Sequence, residues 1–169
     1  FLLSMLVEKV SGESLRDYAH ARIFEPLGMA NTFFSDEPTE IVRNRASGYK
    51  RNGDSSEFVT DMTNLFWVGD GGLHTSVEDM LKWDQNFYEP KVGLDPARLL
   101  ALFNTPNSEF ETSGSLYANG QFISEINGRK SFAHGGGWLG VRTSYSRFPA
   151  EEFSTIVMCN DVGQNPAEY

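Results

Sequence analysis

Ala133-His134-Gly135-Gly136-Gly137-Trp138-Leu139-Gly140 is the stretch on which the reading of the fold turns. It sets four glycines, one histidine and one tryptophan between two segments that alternate like β-strands. Glycine weakens a strand interior, so several together mark a bend or a place where a ligand or another backbone comes close. A histidine beside them offers a titratable ring next to unshielded backbone N–H groups. The plainer reading is a Gly-rich bend holding a partly buried histidine, and the stretch alone leaves both open.

Outward from it the pattern is β. Gln121 to Ile126 alternates, Asn127-Gly128 is a strong short hairpin signal, and Arg129 to His134 returns. On the other side, Val141 to Phe148 is a longer alternating run, Pro149-Ala150-Glu151 a turn, and Phe153 to Cys159 an apolar strand. The expectation is an antiparallel meander with the glycine-histidine stretch between its middle strands. Asn165, Pro166 and Glu168 then carry the start signature of a helix.

The earlier part of the chain reads mainly as helices. Leu2, Leu3, Leu6 and Val10 share one face of a helix from Phe1 to Val10, with Gly12 at its C-terminal cap. A second helix is predicted from Leu15 to Phe24, stopped by Pro26 and Gly28. Arg45–Tyr49 and Glu57–Thr60 read as short strands around the turn Arg51-Asn52-Gly53-Asp54. After the second Gly-rich bend, Gly69-Asp70-Gly71-Gly72-Leu73, Thr75 and Glu78 have capping-box spacing. Val77, Met80, Leu81 and Tyr88 would form that helix's apolar face. Asp95-Pro96 opens another helix, through Leu99, Leu100 and Phe103, ending before Thr105-Pro106.

Composition narrows the partners. A formal net charge of -9, with Lys and Arg scattered, argues against nucleic acid or an anionic membrane surface. No apolar stretch approaches the length of a membrane span. The single cysteine, Cys159, excludes an internal disulfide and lies in an apolar run as a small hydrophobe would. His20, His74 and His134 are too dispersed to define a metal site, and no cofactor motif is present.

Three ordered stretches together resemble the serine β-lactamase-related family of class C β-lactamases, penicillin-binding DD-peptidases and related esterases. They are Glu8-Lys9-Val10-Ser11-Gly12 with Ile23-Phe24-Glu25-Pro26-Leu27-Gly28-Met29 and Thr32; Gly69-Asp70-Gly71-Gly72-Leu73-His74-Thr75-Ser76-Val77-Glu78-Asp79-Met80 with Lys82-Trp83; and His134-Gly135-Gly136-Gly137 with Gly140. The resemblance implies an α+β fold, an antiparallel sheet meander packed with helices, as part of a β-lactamase/transpeptidase-like domain. Residues 1–169 would be the C-terminal portion of that single domain, helical over about 1–106 and stranded over about 115–160.

The chemistry so implied is acyl transfer by a Ser-x-x-Lys serine, with a Tyr-x-Asn tyrosine sharing the proton handling. His134 would stand for the lysine of the Lys-Thr-Gly motif, and the Gly137 N–H would be one oxyanion donor. Gly135 and Gly136 would let the strand edge lie against substrate, and Trp138 would wall the pocket. Gly135 departs from the family, where a Thr or Ser hydroxyl is common. A neutral imidazole grips a carboxylate less well than an ammonium ion, which favours esters and peptides over β-lactams as substrates. By the same alignment the Ser-x-x-Lys and Tyr-x-Asn motifs fall outside the chain. The expectations are therefore no nucleophile here, no activity of the chain alone, and a small-molecule amide or ester substrate for the intact protein. A further expected partner is the missing N-terminal part of its own domain. The resemblance implies a periplasmic or secreted setting, with a cytoplasmic one left open. A non-catalytic domain binding a peptide or cell-wall ligand is the alternative.

Two internal patterns compete with that absence. Ser47-Gly48-Tyr49-Lys50 spells Ser-x-x-Lys and Tyr117-Ala118-Asn119 spells Tyr-x-Asn. The nucleophile needs a helix turn so that the lysine reaches back to the serine. Gly48 and the turn that follows Arg51 deny it one, and in a strand positions three apart face opposite sides. Asp79, near a helix start, reads as an N-terminal charge interaction rather than a general base.

Overall fold

The computed structural model describes residues 1–62, 66–93, 95–112 and 115–169, and of 107–112 only the strand itself. The chain forms two compact units, one of residues 1–45 and 63–96, the other of residues 46–62 and 97–169.

In the first unit, α1 (Leu2–Ser11) ends at Gly12, whose N–H returns to the Glu8 carbonyl. Its apolar stripe faces outward, with Leu2 80 % and Val10 79 % exposed, while Ser4 is the buried residue. The Ser4 hydroxyl lies within hydrogen-bond distance of the Val68 and Phe1 carbonyls. The second helix departs from its predicted end. Ser14 caps α2 (Leu15–Ala19), the chain widens into a π-helical segment (His20–Phe24), and α3 (Glu25–Leu27) follows. Pro26 does not stop the helix: it falls in the first turn of α3, directly after the π-helical segment, where proline is tolerated. Gly28 does stop it. Ala19, Phe24 and Met29 form this unit's core, with Ile23, Leu27, Phe34 and Trp83 packed on it.

Strand β1 (Phe33–Phe34) pairs antiparallel with β4 (Leu73–His74), numbering strands along the chain. Helix α4 (Val77–Gln85) is capped by Ser76, not Thr75: the Ser76 hydroxyl accepts the Asp79 N–H at 3.2 Å. The Thr75 hydroxyl is taken up instead by Thr32, at 2.8 Å. The inward face of α4 also differs from the predicted one. Val77, Leu81 and Tyr88 are exposed, whereas Asp79 and Asp84 are buried on the helix, and Asn86 and Phe87 just past its end.

The second unit is built on a six-stranded antiparallel meander in the order β10-β9-β8-β7-β6-β5. Its strands are β5 (Asn107–Thr112), β6 (Ser115–Ala118), β7 (Gln121–Ile126), β8 (Arg129–Trp138), β9 (Val141–Phe148) and β10 (Phe153–Cys159). The meander thus starts at Asn107, earlier than predicted, and Tyr117 lies on β6. Ala118, Ile123 and Phe132 form the core of this sheet, with Leu116 against them. Arg147 is buried, its guanidinium 5.0 Å from the Phe132 ring centroid and donating to Gln121 Oε1. Helix α5 (Pro96–Asn104) leaves carbonyls unpaired in its last turn, as every helix does. Asn119 Nδ2 donates to the Leu102 carbonyl and Gln121 Nε2 to that of Phe103, tying the helix end to the β6–β7 turn.

The remaining pieces of this unit are short. Strands β2 (Tyr49–Arg51) and β3 (Phe58–Thr60) form the hairpin expected around Asn52-Gly53, starting later than predicted on the first arm. The helix signature at Asn165 yields a single 3-10 turn, Pro166–Glu168, whose Ala167 N–H is accepted by the Asn165 side chain.

Candidate active site

The glycine-histidine stretch is not a bend. It is the second half of β8, and the turn comes only at Leu139-Gly140. Three glycines continue a strand here because β9 holds them in register from Phe132↔Arg147 through Gly137↔Arg142 to Trp138↔Val141. Strand β7 covers the other side of β8 only from Arg129 to Ala133, since it begins at Gln121 after the tight Asn119-Gly120 turn. Among the described residues, His134 to Trp138 therefore keep one sheet edge open. An open edge presents alternate backbone N–H and C=O groups to whatever extended chain lies against it.

At two of the glycines an added Cβ would crowd a side chain of β9. A Cβ on Gly136 would lie 2.6 Å from Thr143 Oγ1, and one on Gly137 would lie 2.9 Å from Arg142 Nη1. At Gly135 the nearest atom would be the Thr143 carbonyl oxygen at 3.3 Å, a milder conflict. His134 is exposed; its ring stacks on Phe122 at 5.6 Å and meets Tyr117 edge-on at 6.1 Å. Its Nδ1 is 2.6 Å from the Gly135 carbonyl oxygen. With Nδ1 donating there, the neutral ring keeps Nε2 as an acceptor. Trp138 is 50 % exposed at the end of the open segment.

A backbone clasp holds the hairpin tip. Gly140 N–H donates to the Asp61 carbonyl at 3.0 Å and the Gly140 carbonyl accepts the Tyr49 N–H at 3.3 Å. Tyr49 N–H also reaches the Asn160 carbonyl, Val162 N–H returns to the Tyr49 carbonyl, and Asn160 Nδ2 donates to that of Ser47. The β2–β3 hairpin is thereby tied both to the end of the open edge and to the exit of β10.

This clasp accounts for the competing Ser47–Lys50 pattern. Gly48 passes so near Gly140 that a Cβ on it would lie 3.0 Å from Gly140 Cα. Lys50 Nζ pairs with Asp61 Oδ1 at 2.8 Å, and no helix brings it back toward Ser47. Tyr117 and Asn119 likewise serve the sheet: the ring packs on Phe122, and the amide holds α5. Among the described residues no three His, Cys, Asp or Glu side chains gather as a metal site. Cys159 is a free, half-buried thiol on β10. His74, in the first unit, titrates below the usual imidazole range because it is half-buried, with Arg45 and Arg16 nearby acting in the same direction.

A residue of unexpected weight is Asp79. Its side chain is fully buried, yet it accepts the Asn31 N–H at 2.7 Å, the Thr32 hydroxyl at 2.9 Å and Lys82 Nζ at 2.8 Å. Because an ionised carboxylate only accepts, Thr32 donates to it and Thr75 in turn donates to Thr32. Two of the motif-like stretches, around Met29-Thr32 and around Ser76-Met80, are thus joined through one carboxylate. Their spacing gave no sign of this, as the partners lie 47 and 48 residues apart.

Helices together with an antiparallel meander are the α+β content shared with solved penicillin-binding-protein structures. The family model described as Beta-lactamase matches residues 1–168, and the chain belongs to that family. A D-aminopeptidase of Brucella ovis is 29% identical over 163 residues, 96% of this chain and 30% of that protein. The D-aminopeptidase of Gluconobacter oxydans is 27% identical over 94% of this chain and 30% of its own length. The chain thus spans about 30% of the curated relatives it matches. Among solved structures, a penicillin-binding protein homologue from Pyrococcus abyssi superposes with a TM-score of 0.84 at 26% identity, over 98% of this chain and 38% of that one. A D-amino acid amidase from Ochrobactrum anthropi shares the fold, with a TM-score of 0.69 at 20% identity over 94% and 47% of the two chains. No helix among the described residues is long and apolar enough to cross a membrane.

Proposed function

We propose that this chain supplies one wall of the acyl-transfer site of a serine amide or ester hydrolase, whose nucleophile lies outside residues 1–169. The observation that carries the reading is the open edge of β8 from His134 to Trp138, in a family of serine hydrolases. The extended backbone of a substrate lies along this edge as an added strand, which is how peptides use an exposed sheet margin. Gly137 N–H is one donor to the oxyanion of the tetrahedral intermediate, and removal of such a donor lowers turnover about 100- to 1000-fold. His134, held by the Phe122 and Tyr117 rings and by the Gly135 carbonyl, orients the polar part of the substrate with Nε2. Gly135 and Gly136 keep the edge bare, and Trp138 closes its far end. The D-aminopeptidase and D-amino acid amidase relatives make an amide or ester of a D-amino acid the substrate class of choice.

Placement of the nucleophile elsewhere rests on Lys50, which lies on strand β2 and pairs with Asp61, so that no helix turn brings its ammonium back to Ser47. Two preparations test this reading, with D-alanine p-nitroanilide and p-nitrophenyl acetate as substrates. The chain alone is expected to give no turnover above buffer, and the protein of the whole reading frame is expected to hydrolyse one or both. Turnover by the chain alone that Ser47→Ala abolishes would overturn the outside nucleophile. Failure of the whole protein on every amide and ester offered would overturn the hydrolase reading.

A further inference from the structure

The tip of the β8–β9 hairpin carries a residue that its backbone does not favour. Trp138 and Val141 pair across a two-residue loop, Leu139-Gly140, and Leu139 has φ 39°. Two-residue hairpin loops demand φ > 0 at their first position, where Gly, Asn or Asp is usual. A bulky side chain there is an outlier. The same sheet uses the expected chemistry elsewhere: Asn119-Gly120 and Asn127-Gly128 fill its other tight turns, all four residues at positive φ. At the β8–β9 tip the glycine again stands second, where the close passage of Gly48 requires it, but a leucine replaces the asparagine at the first position. Leu139 therefore takes the strained position.

Burial does not explain its retention. Leu139 is 39 % exposed, and its neighbour Trp138 is 50 % exposed. A leucine that is both strained and half in water gains little for the fold, and a strained residue held against local preference points to function. Its place gives that function a direction, because Leu139 follows directly on the open edge His134–Trp138. We infer that Leu139 is a specificity residue of the acyl-transfer site: its side chain, beside Trp138, forms an apolar rim that takes a bulky apolar side chain of the substrate. This rests on the hydrolase reading above and adds the substrate class, a D-amino acid amide or ester with an aromatic or branched side chain in preference to D-alanine. Hydrophobic contacts of this size discriminate by about tenfold or more.

The test compares kcat/KM for D-phenylalanine and D-alanine p-nitroanilides in the whole protein, in Leu139→Asn and in Leu139→Gly. Both replacements accept φ > 0, so the turn forms without the leucine. The expected result is a fall of about tenfold in the Phe/Ala ratio, with the melting temperature unchanged or raised. A ratio within twofold of the parent in both variants would overturn the inference. So would a lowered melting temperature with an unchanged ratio, because the leucine would then be held for packing. A parent protein that hydrolyses p-nitrophenyl acetate but neither anilide would overturn this inference and leave the hydrolase reading standing, whereas failure on all three would remove both.

Discussion

Gly140→Ala is expected to lower the melting temperature by about 6–12 °C and to reduce any turnover at the β8 edge more than tenfold. The added Cβ would sit 2.4 Å from both Gly48 C and Tyr49 N and 2.6 Å from the Asp61 carbonyl oxygen. All three are backbone atoms, so no side chain can swing aside, and the hairpin tip must leave the β2–β3 hairpin. Overpacking of this kind costs about 1–3 kcal/mol. The two hydrogen bonds through Gly140, to Asp61 and Tyr49, contribute about 1 kcal/mol each. With overpacking in the middle of its range and one of these bonds lost, a total near 3 kcal/mol corresponds to the quoted shift for a domain of this size. The effect on turnover follows because Gly140 ends the loop that terminates the open edge, and a displacement of about 1 Å costs roughly 100-fold in a positioned reaction. Gly163→Ala, in the same unit, is the control. Its Cβ would meet only the Asp161 carboxylate, at 3.3 Å, which can turn away, so a change within about 0.5 kcal/mol is expected. Thermal unfolding of the two variants side by side decides the matter; equal melting temperatures would mean that the crossing is not a constraint.

The meander was legible because its signals are local. Asn127-Gly128 and the alternation on either side of it need no information from elsewhere in the chain, and they gave β7, β8 and the turn between them. The glycine run misled for the same reason. Glycine carries no alternation, so a strand interior made of it reads as a bend, and only the register with Thr143 and Arg142 on β9 makes it a strand. Helix faces failed differently. The apolar stripes of α1 and α4 are real in sequence, but Leu2, Leu6, Val77 and Leu81 are exposed, and the inward positions belong to Ser4 and Asp79. Polar residues take those positions because each has specific partners, Val68 and Phe1 carbonyls for Ser4 and three donors for Asp79, which no hydrophobic count detects. The candidate site residues come from the motif-like run itself. Its open edge was not legible there, because it depends on where β7 begins, and Gln121 is fixed by the Asn119-Gly120 turn and its bond to Phe103.

Asp79 sets the second large expectation. Asp79→Ala removes the common acceptor of Asn31 N–H, the Thr32 hydroxyl and Lys82 Nζ, leaving the first two with no carboxylate in a buried setting. Lys82 is 41 % exposed, so its ammonium stays solvated, and the cost is that of stranding the Asn31 N–H and the Thr32 hydroxyl, about 1–3 kcal/mol for each. Asp79→Asn keeps an acceptor oxygen but loses the charge, and should cost less than half as much. The pH dependence separates these contributions. Burial alone would raise the Asp79 pKa, but the bonds from Lys82, Thr32 and Asn31 outweigh it and hold the carboxyl below its usual range. A carboxylate with a depressed folded pKa contributes fully above the unfolded value of about 3.9, and that contribution disappears as the pH falls through the folded value. The stability gap between the parent and Asp79→Asn is therefore expected to be flat from pH 7 to about 5 and to close progressively below about pH 4. Lys82→Met removes the ammonium partner while leaving Thr32 and Asn31 in place, so the Asp79 pKa rises and acid unfolding should begin at a higher pH than in the parent. Urea titrations at several pH values measure both effects. A gap that stays constant down to pH 2, or an unchanged acid limb in Lys82→Met, would show that the joint between the two motif stretches is held by packing and not by the carboxylate.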